Sequence, residues 1–95
     1  MIQNIEEILK LIDDNKWDDA KSITQNSAGA AQAINAIKSL LKNGVTNQEI
    51  RRLQALKDNM TKLMSTGWLS EFDEDYFTLL FAYVEHIGRT LNKTT

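Results

Sequence analysis

The 95-residue sequence contains no cysteine, no proline and a single histidine, and nowhere does it hold an apolar run long enough to span a bilayer. Each absence excludes a class of protein. Without cysteine there is neither a disulfide framework nor a thiolate metal site, so packing alone must hold the chain, as suits a reducing, cytoplasmic setting. One imidazole leaves zinc without a ligand set and gives a serine triad only His86 to work with. A membrane-spanning helix needs about 20 consecutive apolar residues, which are not present. The opening segment carries Glu6 and Glu7 where a secretory signal places basic residues, so export by that route is not expected. The Asn-x-Thr sequons at Asn59 and Asn92 then read as chance matches.

A hydrophobic fraction of 42% and a charged fraction of 25% match a folded domain and exclude a disordered one. A chain of this length supports one core, and residues 1–95 read as a single domain. The net charge of -2 weighs against a protein that coats nucleic acid, but the charges are unevenly placed. Residues 1–21 carry three basic and six acidic side chains, residues 22–66 six and two, and residues 67–95 two and five. The simplest account is that oppositely charged helices lie side by side.

With no proline to mark boundaries, helices must be read from caps, glycines and the phase of apolar residues. Ile5, Ile8, Leu9 and Ile12 share one helical face, which predicts a helix over 3–14. The Asp13 to Lys16 run breaks it, and Trp17, Ala20 and Ile23 continue as a short helix over 17–25. The turn resembles the hairpin turn of helical repeats, but no second copy follows at any period, so a repeat array is rejected. Ala30, Ala33, Ile34, Ile37, Leu40 and Leu41 define a helix over 27–43, with Gly44 as its cap. Its first half, Ser27 to Ala33, is built of small residues and reads as a site where another backbone approaches closely. Thr46-Asn47-Gln48-Glu49 is a capping box that starts a helix over 46–65, with a narrow stripe of Ile50, Leu53, Leu56, Met60, Leu63 and Met64. The last helix, over 71–91, gathers Glu71, Asp73, Glu74 and Asp75 at its positive end, where Arg89 and Lys93 occupy the other. Ten apolar residues from Phe72 to Leu91 cover an arc of roughly 200°, about twice what a surface helix needs. That breadth makes the helix either the centre of a bundle or an adhesive face. The whole reads as an all-α, antiparallel bundle of about four main helices.

Chemistry is thin. His86 falls at the edge of the last helix's apolar arc, where an imidazole is a boundary residue sooner than a base. The carboxylates at Asp13, Asp14, Asp18 and Asp19, and those at Glu71, Asp73 and Asp75, lack the central glycine and terminal glutamate of a calcium loop. Both sets read as solvated turn and helix-start residues. No enzyme activity, cofactor or metal is expected.

The segment Asn43 to Leu53 resembles the turn and second helix of a helix-turn-helix, which implies phosphate or base contacts from Arg51 and Arg52, with Lys38, Lys42, Lys57 and Lys62 nearby. It departs from that pattern at Ser39 and Asn43, where the motif is apolar, and its helix continues past the usual length. The overall plan is also similar to that of small export chaperones and bacteriocin immunity proteins, which act by docking; the likeness is architectural and transfers no residues. By elimination, the first expectation is a non-enzymatic protein-binding module, such as an adaptor, chaperone or inhibitor, anchored by Trp68, Phe72, Tyr76 and Tyr83. A nucleic-acid-binding regulator is the alternative. A third expectation is self-association, in which a second copy of the chain meets the first through the broad face of the last helix.

Overall fold

Asn15 is where the chain first turns back on itself. In the computed structural model, which describes residues 4–94 and side chains as far as Arg89, Asn15 takes φ 61°, a left-handed conformation that asparagine tolerates better than most residues. Its side-chain oxygen accepts a 2.6 Å hydrogen bond from the Trp17 indole, which fixes the start of the next helix. Five helices result: α1 (Ile5–Asp13), α2 (Trp17–Ile23), α3 (Ala28–Lys42), α4 (Asn47–Ser65) and α5 (Glu71–Thr94). Among the described residues there is no strand, so the fold is all-α, with four main helices and the short α2.

The caps act where the sequence places them. Thr46 accepts from the Glu49 backbone N–H at 3.1 Å, and Gly44 and Gly67 end α3 and α4 at φ 83° and 73°. α2 stops at Ile23, two residues short of expectation, because the Thr24 hydroxyl turns back to the carbonyls of Ala20 and Lys21 at 3.2 and 2.9 Å. Thr24 is buried and Ile23 is exposed, the reverse of what their polarity suggests. α5 runs three residues beyond Leu91, whose side chain, like that of Lys93, lies outside the described residues.

α5 is the central helix. It packs on α1, α3 and α4, whereas α2 packs only on α1 and α3. The core joins Ile8, Leu9 and Ile12 of α1, Ala20 of α2, Ala30, Ala33, Ile34 and Ile37 of α3, and Leu79, Leu80 and Tyr83 of α5. α3 and α5 begin at the same end of the bundle and run side by side, and α4 returns between them in sequence, antiparallel to α5. At the start of the α3–α5 contact a methyl group on Gly29 would lie 2.1 Å from the Phe72 carbonyl oxygen. The small-residue stretch is therefore a backbone-to-backbone contact, as its composition implies.

Ser27 links the two helices at the same end. Its hydroxyl accepts from the Ala30 N–H at 3.1 Å, capping α3, and donates to Asp75 at 2.7 Å. Asp75 is only 6% exposed, which corrects its reading as a solvated helix-start residue: it faces α3, where Ser27 supplies a donor. Ser27→Ala should lower stability by about 2 kcal/mol, combining a lost cap with a lost donor to a buried carboxylate. Thermal unfolding checks this, with an expected fall of about 10 °C. Ser27→Asp would cap equally well but adds a second carboxylate beside Asp75, so it should not restore the loss.

Candidate functional site

The four aromatic anchors fall in four different environments. Tyr83 is 3% exposed and belongs to the core, so it is not available to a partner in the folded protein, which corrects its assignment as an anchor. The cause is geometric: α5 is central, and Tyr83 lies halfway along its length, in the core that α5 shares with α1 and α3. Tyr76 is half-buried, packed against the same core and edge-on to Phe77 with ring centroids 5.1 Å apart. Phe72 is 45% exposed and Trp68 is 84% exposed. Trp68 stands in the turn after Gly67, and Phe72 in the first turn of α5, so the two exposed rings of the four lie at the α4–α5 connection and the helix start that follows it.

Three helices pack on α5 and cover most of its broad face. The surplus apolar surface lies on α4. Among its residues only Ile50 is buried, and no α4 side chain joins the core cluster. Ile50, Lys57, Thr61 and Met64 face α5, with Lys57 paired to Glu85 across the contact. At about 100° per residue, the stripe of Leu53, Leu56, Met60 and Leu63 is centred roughly 100° away from that direction. Leu56 and Leu63 are accordingly 42% and 46% exposed, while Leu53 and Met60 are half-buried. α4 also stands slightly off its neighbour: a groove of about 270 Å³ runs between the helices, floored by Phe81 and Ala82 and bordered by Ile5 and Met64.

Lys38, Lys42, Arg51 and Arg52 are all exposed. The Lys38 ammonium lies 5.9 Å from the Trp17 ring centroid, and Arg52 is 4.0 Å from Glu49 one turn back. α3 and α4 do not pack on each other, so α4 is braced by α5 rather than by the helix that precedes it. The expected pairing of charge between the basic middle and an acidic flank is seen where Lys57 meets Glu85.

At the far side of α5, His86 Nε2 lies 2.6 Å from Asp13 Oδ2 and ties the end of α1 to α5. A cavity of about 370 Å³ beside it is bordered by Glu6, Lys10 and Arg89. Burial, and secondarily the Asp13 carboxylate, push the Tyr83 hydroxyl from 10 up to about 12. Among the described residues no three carboxylate or imidazole groups come together as metal ligands would, and no helix is long and apolar enough to cross a membrane.

Fold and surface together define a small helical bundle with a central last helix and an aromatic turn open to solvent. No family model matches the sequence, and no curated protein and no solved structure matches it either.

Proposed function

We propose that the chain is a non-enzymatic protein-binding module, an adaptor, chaperone or inhibitor, that presents the α4–α5 turn to a protein partner. The observation that carries this reading is the exposure of Trp68, 84%, next to the half-exposed Phe72. An indole gains little from water on both faces, whereas tryptophan seated in a partner's pocket is among the strongest contributors to binding energy. The turn also offers those rings on a rigid mount, because Gly29 and Ser27 clamp the start of α5 to α3.

Affinity capture from the native host, followed by binding measurements with the purified prey, tests the reading. Trp68→Ala with Phe72→Ala should weaken binding by about a hundredfold or more, with the melting temperature unchanged within a few degrees. Prey bound equally by the double variant, or no prey for either protein, would count against it. The alternative, a nucleic-acid-binding regulator, draws on the exposure of Lys42, Arg51 and Arg52 around the α3–α4 connection. It requires duplex binding that falls steeply with salt and is lost in Arg51→Ala with Arg52→Ala.

A further inference from the structure

The connection between α3 and α4 holds a pair of residues that can react with each other. Asn43 is followed by Gly44, whereas every other asparagine in the chain precedes a residue with a side chain. In an Asn–Gly pair the glycine backbone nitrogen is open to attack the asparagine side-chain amide, because no side chain on the second residue blocks the approach. Both residues are exposed, and a Cβ built on Gly44 would meet nothing within 4 Å, so the fold leaves room for the succinimide ring that results. Asn43 closes α3 at φ -85°, ψ -5°, and Gly44 follows at φ 83°. Ring closure needs rotation about ψ of Asn43, which the Gly44 N–H bond to the Leu41 carbonyl resists at 3.2 Å. That bond lies at a helix end, where opening costs little, and α3 and α4 do not pack on each other across it. Asn15 and Asn26 are held more firmly, since the N–H groups that follow them are bonded at 2.8 and 3.0 Å, and Asn35 and Asn59 lie inside helices.

We propose that Asn43 is a site of spontaneous deamidation in the folded protein, and that the product loosens the end of α3. The Gly44 nitrogen loses its proton to a base in solution and bonds to Cγ of Asn43; the side-chain nitrogen leaves as ammonia, and a succinimide remains. Water then opens the ring at one of two bonds. Cleavage between Cγ and the nitrogen leaves an ordinary aspartate at position 43. Cleavage at the backbone carbonyl leaves Gly44 attached through Cγ, an isoaspartyl linkage that adds a carbon to the main chain. Both products put a carboxylate beside the last carbonyls of α3, whose partial charge is already negative. The isoaspartyl form also carries the Gly44 N–H away from the Leu41 carbonyl, so the cap is lost. The 19 residues of α4, about 28 Å, separate the site from Trp68 and Phe72, so the reaction stands or falls separately from docking at the α4–α5 turn.

The purified full chain, kept folded for weeks in mildly alkaline buffer made with heavy-oxygen water, should convert at Asn43 before any other asparagine. Peptide mapping by mass spectrometry should find two isomeric products there, each carrying a solvent oxygen, with the isoaspartyl form in excess. The rate should rise with pH, because the deprotonated nitrogen is the nucleophile. Gly44→Ala and Asn43→Gln should each slow conversion roughly tenfold or more, the first by crowding the nitrogen and the second because its ring would be larger. Asn43→Gln leaves Gly44 in place, so it avoids the strain that alanine meets at φ 83°. Aged wild-type protein should melt about 3 °C or more below fresh protein, whereas aged Asn43→Gln should melt where it began. Asn43 left intact in the folded chain, with the urea-unfolded chain as the reference for conversion, overturns the proposal. So does earlier conversion at another asparagine, or a sample converted at position 43 that melts as fresh protein does.

Discussion

Gly29→Ala should lower the melting temperature by about 15 °C or more, even though alanine is the better helix former. Two effects compete at this position. Helix propensity favours the substitution by about 1 kcal/mol, because glycine loses the most backbone entropy on joining a helix. Against it, the new methyl would lie 2.1 Å from the Phe72 carbonyl oxygen and 3.1 Å from the Tyr76 nitrogen. Those are backbone atoms of α5 and cannot swing aside as the end of a side chain could. Relief therefore requires α3 and α5 to separate along their shared length, loosening Ala30, Ala33, Ile34 and Ile37 from Leu79 and Leu80. Overpacking of this kind costs about 3 kcal/mol or more, which outweighs the propensity gain. For a domain of this size, whose total stability is on the order of 5–14 kcal/mol, that is a large fraction. Circular dichroism melts of Gly29→Ala and of Gly88→Ala make the comparison. A methyl at Gly88 would meet the end of the Gln54 side chain at 3.3 Å, which can move, so Gly88→Ala should be close to neutral. Equal effects at the two glycines would show that the α3–α5 contact is not the tight point.

The same contact marks how far the sequence can be read. Composition alone identified Ser27 to Ala33 as a place of close approach, because a run without large side chains has few other uses in a helix. Apolar phase likewise located the faces of α1 and α3, since Ile8, Leu9, Ile12, Ile34 and Ile37 each had only one core to turn toward. Phase gives the direction of a stripe on its own helix and says nothing about where the neighbour stands. That is why the single α4 stripe divides in the fold: Ile50 and Met64 face α5 beside Lys57 and Thr61, whereas Leu56 and Leu63 face solvent. The candidate anchors divided for a related reason. Tyr83 and Phe72 lie about 20° apart around α5, so apolar phase cannot separate them; which helices cover the middle of α5 and which leave its start open does. Asp75 was hidden by its surroundings: four carboxylates in five residues look like a solvated helix start, and only the position of Ser27, 48 residues away in sequence, singles one out for burial.

Tyr83 supplies the second large effect, and it appears only in alkaline solution. Its hydroxyl is pushed from 10 up to about 12 in the folded protein, first by burial and then by the negative charge of Asp13. Below pH 10 the phenol is protonated in both folded and unfolded chains and exerts no pH-dependent effect. Between pH 10 and about 12 the unfolded chain releases this proton while the folded one retains it, so stability falls as pH rises through that window. The gap corresponds to on the order of 3 kcal/mol at its upper end. Lysines also lose charge in this range, so the parent melt alone does not isolate the tyrosine. Melts of the parent and of Tyr83→Phe between pH 9 and 12 do: the parent should lose stability faster, and the two curves should diverge from about pH 10. In a Tyr76→Phe background, where Tyr83 is the only remaining tyrosine, phenolate absorbance should be delayed until the pH nears 12 or the chain unfolds. Asp13→Asn should bring that onset down only part of the way, because burial is the larger cause and the buried position of Tyr83 against α1 and α3 does not depend on the carboxylate. Parallel loss of stability in the parent and in Tyr83→Phe would mean that the ring reaches water in the folded state, and the placement of α5 at the centre of the bundle would then have to be abandoned.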